Sequence, residues 1–329
     1  MEQLDQLSLH LTAWLQATYP QLEGAMLIVS GLGQELFYLI VLPIFYWVVN
    51  KRAARFLGYI FLTGVLINNI LKNVFRLPRP YWIAPELGLT EEPLYGLPSG
   101  HVEFAVIIYV FIAYWFRRWW LWLLAVFLIG LFMFNRLYLG AHFLTDVLAG
   151  LLVGTLTLVA FFLWQYFFSD RFGKQILGRR LLTVLIVPFA LTAIYVALLL
   201  ILGEPDMTVS WAEYIPAAEL VSREGVVSTF AALTGFAMGI LLEGSRIRFR
   251  VEGSIWQRLA RILIGVPVAV AIWAGLDAIF PADPFWLAVP FRFLRYFLLL
   301  LWVTYFAPWV FVRLGLAEAD PEPEIKVAL

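Results

Sequence analysis

Cysteine is absent from the 329 residues, which excludes disulfides, thiolate metal sites and cysteine nucleophiles. Histidine is almost as scarce: with only His10, His101 and His142 present, a histidine-rich metal cluster is not expected. Charge is thin too, since 14% of residues are Asp, Glu, Lys or Arg against 62% hydrophobic. A soluble domain carries about a quarter charged residues, so an ordinary cytosolic enzyme is excluded, and so is a disordered chain. The 23 cations balance the 23 anions, so the total offers nothing to nucleic acid, and no nucleic-acid partner is expected. A total says nothing, however, about where the charges sit.

What the chain does have is long apolar runs. A bilayer core about 30 Å thick needs about 20 mostly apolar residues per helix. Nine such runs occur, near 33 to 49, 56 to 75, 99 to 116, 119 to 138, 142 to 168, 181 to 203, 225 to 243, 260 to 280 and 288 to 312. They are continuous rather than alternating, which predicts helices and not barrel strands. The expected fold class is therefore all-α integral membrane, with about nine transmembrane helices. No Lys or Arg precedes Lys51, so a cleaved signal peptide is not expected. Leu4, Leu7, Leu11, Trp14 and Leu15 fall at helical spacing and predict an amphipathic interfacial helix carrying His10.

Comparing alternate loops sorts the charges. Lys51, Arg52, Arg55, Arg117, Arg118, Arg171, Lys174, Arg179, Arg180, Arg246, Arg248, Arg250, Arg258, Arg261, Arg313 and Lys326 all fall on one side, with seven acids that include Glu322 and Glu324. By the positive-inside rule that side is cytoplasmic, which puts the N-terminus outside and the C-terminus inside. The outer side keeps only seven cations, and four of them, Lys72, Arg76, Arg79 and Arg136, crowd two helix ends. Cations placed against the topology signal call for compensation, and an anionic ligand would supply it.

Three segments then converge on the outer face. Lys72 and Arg79 lie seven apart, with Pro78 and Pro80 stiffening the helix exit; snorkelling at a helix end is the competing explanation. Pro98-Ser99-Gly100-His101 opens the next span, where first-turn N–H groups attract anions, although Ser99 could be a structural cap alone. His142 and Asp146 share a helix face, so the carboxylate can hold one ring nitrogen and leave the other for a reactant. A buried polar pair linking helices is the alternative for them.

Lys72-x6-Arg79-Pro80, Pro98-Ser99-Gly100-His101 and Arg136-x5-His142-x3-Asp146 resemble the three signature motifs of the type 2 phosphatidic acid phosphatase family. One departure is Asn135, where that family usually has serine; it is expected to alter a supporting contact only. The resemblance implies a helical core of the phosphatidic acid phosphatase and haloperoxidase type at 33 to 169, preceded by an interfacial segment at 1 to 32. At 170 to 329 follow about four extra helices, whose roles left open include lining a lipid cleft, bracing the core or forming a homo-oligomer. It implies that His142 attacks phosphorus, that Asp146 orients it and that His101 protonates the leaving alcohol. Lys72, Arg79, Ser99, Gly100 and Arg136 would hold the phosphate, with no metal or other cofactor. The expected partners are a lipid phosphate substrate and membrane lipids, in what reads as a prokaryotic plasma membrane.

The alternatives are a phosphatase of a soluble ester, since the layout is similar to the glucose-6-phosphatase branch, and a non-enzymatic anion transporter. A vanadium haloperoxidase ranks lower, its relatives being soluble. Among the remaining polar residues, Arg76 is read as a steering charge, and Glu103 as tuning His101 or pairing with Arg136. Glu35, Asn68 and Asn69 are read as joining helices, Arg292 and Arg295 as snorkelling, and Trp119, Trp120 and Trp122 as an interfacial belt.

Overall fold

The computed structural model describes residues 2–321, without the side chains of Glu2, Glu35 and Leu36. The expectations for Glu35 and for Lys326, Glu322 and Glu324 lie outside the described residues. The chain is 81% helix with no strand among the described residues, so the all-α expectation holds. In chain order the helices are α1 (Glu2–Thr18), α2 (Glu23–Leu32), α3 (Glu35–Ile44), α4 (Lys51–Phe75), α5 (Pro80–Ile83), α6 (Gly100–Ala105) and α7 (Phe111–Phe116). They continue with α8 (Trp119–Tyr138), α9 (Leu144–Gly173), α10 (Leu177–Leu202), α11 (Ile215–Arg246), α12 (Ile255–Ile279), α13 (Phe285–Leu301) and α14 (Ala307–Arg313).

Seven helices are long and apolar enough to cross a membrane, or eight if the bent pair Pro20–Leu32 and Phe37–Val49 is one span. The expected count of nine is not confirmed. The run at 33 to 49 qualifies only within that pair, across a 54° bend. The helix Gly100–Phe116 is short; at 1.5 Å per residue it reaches only about 25 Å. Its middle, Val106–Val110, is a π turn that joins α6 to α7. Exposed side chains such as Leu200, Ile201 and Tyr166 on the long helices are what a lipid-solvated surface requires, and the chain is an integral membrane protein. Trp119, Trp120 and Trp122 are likewise exposed.

Two compact units emerge. One comprises Met1–Phe37, Gly64–Val159 and Ala193–Val226; the other comprises Tyr38–Thr63, Ala160–Thr192 and Val227–Leu329. In the first, α1 docks by its small polar residues. Thr12 donates to the Leu137 carbonyl at 2.9 Å, Gln16 to those of Leu87 and Tyr138 at 2.9 and 2.8 Å, and the Leu144 N–H donates to Ser8 at 3.0 Å. That geometry buries Leu15 and leaves Leu4, Leu7, Trp14 and His10 exposed. The same unit holds every sequence-predicted site residue.

In the second unit Trp47, Phe249 and Phe311 form the centre of the core. The buried Glu243 carboxylate pairs with Lys51 at 3.4 Å and with Arg55. Arg261, fully buried, donates to the carbonyls of Trp47, Val251, Glu252 and Leu316, satisfying backbone groups that no helix completes. Arg295 does not snorkel as expected: it is buried and paired with Asp277, because an acid on α12 supplies the compensation that lipid headgroups were expected to give. Arg292 donates to Ser228 at 3.3 Å.

Candidate active site

Helix ends build this site. α4 stops where Arg76 takes a left-handed conformation (φ 50°), and Pro78 forbids continuation. Lys72, buried in its last turn, donates to the carbonyls of Tyr95 at 2.6 Å and Gly96 at 3.4 Å. Arg79 sits extended just before α5 and is 1% exposed. Its Nη1 faces Glu92 Oε2 at 3.0 Å, the Ala141 carbonyl at 3.0 Å and His142 Nε2 at 3.3 Å. Arg136, in the last turn of α8 and fully buried, donates Nη1 to Ser30 Oγ at 3.0 Å and Nη2 to Glu92 Oε1. Its Nε has no partner among the described residues.

His142 has its tautomer set by two neighbours. Arginine can only donate, so Nε2 must accept from Arg79; the Asp146 carboxylate only accepts, so Nδ1–H must donate to Oδ2, at 3.2 Å. The lone pair of Nε2 therefore points toward the arginine that faces Glu92. Asp146 is itself fixed, its Oδ2 accepting the Phe143 N–H at 3.0 Å and its carbonyl accepting the Ser99 N–H at 2.9 Å.

Ser99 precedes α6 but its side chain makes no capping bond. The structural-cap explanation thus fails, and the buried hydroxyl is left without a partner among the described residues. Gly100 is the first residue of α6. His101 is buried with Nε2 3.1 Å from the Ser30 carbonyl, which can only accept, so this nitrogen carries the proton.

One connected network results. It runs from Asp146 through His142, Arg79, Glu92, Arg136 and Ser30 to His101, with Lys72 held beside it on the carbonyls of Tyr95 and Gly96. Glu92 and Ser30 were not anticipated from the sequence. Glu92 reads there as one more acid in an acidic loop, and Ser30 as one polar residue in an apolar stretch; neither has a motif spacing. Burial pushes the Glu92 carboxyl up, but the Arg136 and Arg79 guanidiniums outweigh it and hold the group well below the usual carboxylate range. Two cations thus already bind an anion in this cradle.

Other expectations are corrected. Arg76 is no steering charge: Nε donates to Glu219 at 3.1 Å and Nη1 to the Gly203 carbonyl at 2.8 Å. Glu219 also accepts from Tyr95 at 2.9 Å, so an acid on α11 braces the residue whose carbonyl holds Lys72. Glu103 bonds neither His101 nor Arg136; Asn68 donates to it at 2.7 Å, joining α4 to α6. Asn135 donates to the Met26 carbonyl at 2.6 Å, a contact that ties α8 to α2.

Gly33 permits the His101 position. A Cβ there would lie 2.1 Å from His101 Cδ2 and 2.9 Å from Phe132 Cε1. Gly33→Ala is expected to displace the imidazole and to depress turnover at least tenfold, since small misplacements at a reacting centre cost up to about 10²-fold. Comparing kcat with thermal stability in detergent checks this; a parallel collapse of stability would assign the glycine to packing instead.

Comparison with known proteins places the chain in a family. Residues 53–170 match the model of the PAP2 superfamily, and residues 227–319 match that of the PAP2 superfamily phosphatase, transmembrane extension. The chain belongs to the PAP2 superfamily. It is 35% identical over 144 residues to a probable sphingosine-1-phosphate phosphatase of Dictyostelium discoideum, a match covering 40% of this chain and 36% of that protein. It is 32% identical over 139 residues to human sphingosine-1-phosphate phosphatase 2, covering 40% and 34%. A dihydrosphingosine 1-phosphate phosphatase of Schizosaccharomyces pombe is 24% identical over 239 residues, covering 67% and 52%. The chain thus spans about a third of the length of the first two relatives. No solved structure matches the chain significantly.

Proposed function

We propose that the protein is a membrane phosphatase that hydrolyses a lipid phosphate monoester or pyrophosphate at the outer membrane face through a phosphohistidine. The observation that carries this reading is the pair of guanidiniums, Arg79 and Arg136, that hold the Glu92 carboxylate beside the Nε2 lone pair of His142. The unpartnered Ser99 hydroxyl and Arg136 Nε are further donors for phosphoryl oxygens, with Lys72 and the Gly100 N–H completing the cradle. The names of the relatives support a lipid phosphate, and the charge asymmetry of the loops supports the outward face.

Chemically, His142 Nε2 attacks phosphorus, forming a P–N bond as the bond to the ester oxygen breaks. His101, protonated on both ring nitrogens, gives that oxygen its Nδ1 proton while Nε2–H stays on the Ser30 carbonyl, and the oxygen leaves as the alcohol. Water, deprotonated by His101, then attacks phosphorus, and the P–N bond breaks to release inorganic phosphate and restore His142. Asp146 stabilises the histidine as it gains positive character. All steps use groups of the chain, and among the described residues no cluster of three or more His, Asp or Glu could hold a metal ion. The core at 33 to 169 carries this chemistry, and Glu219 gives the region beyond it a bracing role.

Purified full-length protein in detergent is expected to release inorganic phosphate from long-chain lipid phosphates faster than from sugar phosphates, to be inhibited by vanadate and to keep its activity in EDTA. Loss of activity in EDTA would point to a metal mechanism. Preference for sugar phosphates would favour the soluble-ester alternative. Anion binding with no phosphate release would leave the transporter.

A further inference from the structure

The Glu92 carboxylate spans two guanidiniums, Oε2 on Arg79 and Oε1 on Arg136, as two oxygens of a phosphoryl group would. Asp146, the other acid of the network, is tied to the His142 ring and to the Phe143 and Ser99 N–H groups, so it stays in place when a ligand enters. Glu92 is held differently. It lies in a stretch, 88–99, without helix or strand, and only its backbone is pinned: the Tyr81 hydroxyl donates to its carbonyl at 2.8 Å and accepts its N–H at 3.0 Å. Its side chain is 23% exposed, whereas those of Arg79 and Arg136 are 1% and 0% exposed. The carboxylate can therefore swing outward while the guanidiniums and its own backbone stay where they are.

Charge permits that exchange. At rest Lys72, Arg79 and Arg136 stand against Asp146 and Glu92, an excess of one positive charge while His101 is neutral. A phosphomonoester dianion, together with the proton that His101 carries to act as the acid, brings four cations against four negative charges. The displaced carboxylate is thus balanced beside a bound phosphate, and it remains within side-chain reach of the same two guanidiniums. Two arginines and a lysine would otherwise hold the product, inorganic phosphate, as firmly as the substrate. Binding both equally leaves product in the site without helping the chemical step. We propose that Glu92 is an internal competitor for the phosphate seat: it yields Arg79 and Arg136 to the substrate, reclaims them when inorganic phosphate leaves, and so keeps the product from saturating the site. This rests on the phosphatase reading above and adds to it the residue that sets phosphate affinity.

The test compares full-length wild type and Glu92→Gln in detergent for equilibrium binding of inorganic phosphate and of vanadate, and for KM on a long-chain alkyl phosphate. Glutamine keeps the side-chain length and removes the charge. The variant is expected to bind both anions about tenfold or more tightly, the scale of one charge-assisted hydrogen bond that no longer has to be broken, with KM falling in parallel. Glu92→Asp, whose shorter side chain cannot span both guanidiniums, should tighten binding less, and it carries the same test if the amide variant does not purify folded. Tightening is a result that a damaged site cannot give. Unchanged or weaker binding in the variants overturns the proposal, because the carboxylate would then be a scaffold that fixes the two arginines, and its loss would loosen the seat. No phosphate release from any ester by wild type would overturn the phosphatase reading itself, and the binding measurement would still decide whether Glu92 competes for the seat.

Discussion

Replacing His142 with alanine is expected to lower phosphate release by about 10⁴-fold or more, the scale seen when a covalent nucleophile is removed. The loss should be chemical and not structural. Arg79 keeps its contacts to Glu92 and Ala141, and Asp146 keeps the Phe143 and Ser99 backbone bonds, so the walls of the site retain their anchors without the ring. Binding of vanadate or phosphate should therefore persist while turnover disappears, and the variant should insert and purify like the wild type. Acid-stable, base-labile behaviour is not expected of a phosphohistidine, so labelled lipid phosphate should leave an acid-labile label on wild type and none on the variant. An unchanged rate would remove His142 from the nucleophile's role.

The residues that make this test possible were legible because their constraints are local. The expected shared helix face is not what joins His142 and Asp146: His142 lies two residues before α9 and Asp146 in its first turn, yet a separation of four still lets the carboxylate reach back to the ring. Apolar runs, likewise, announce their helices one by one. Glu92 was invisible for the opposite reason: its partners lie 13 and 44 positions away, on two different helix ends, and nothing in its own neighbourhood distinguishes it from Glu91. For Ser99 the sequence left a structural cap open, because capping is what serine before a helix ordinarily does; only the structure shows a hydroxyl that makes no capping bond. Arg76 misled because its partner, Glu219, comes from a region with no motif. The span count suffered from geometry that hydropathy cannot register, a bend between α2 and α3 and a short helix at Gly100–Phe116.

His101→Ala should produce a loss whose size depends on the leaving group. An alkyl phosphate expels a strongly basic alkoxide, which needs a proton as the bond breaks; an activated aryl phosphate expels a weakly basic phenolate, which does not. General acid catalysis contributes about 10²- to 10⁴-fold, so the variant should lose that much on the alkyl lipid and little on the aryl ester. The ring is oriented for that role: Nε2–H is held on the Ser30 carbonyl, which leaves Nδ1 as the nitrogen that would carry the transferred proton, and Ser30 also accepts from Arg136. Those ties also create the rival explanation, since losing the ring frees Ser30 and could disturb Arg136. That explanation predicts equal losses on both esters, because a weakened cradle binds both phosphoryl groups worse. Dephosphorylation separates the two once more. If His101 also activates water, the aryl ester should show a burst of phenolate in the variant followed by slow release of phosphate, whereas a disturbed Arg136 would slow the burst itself.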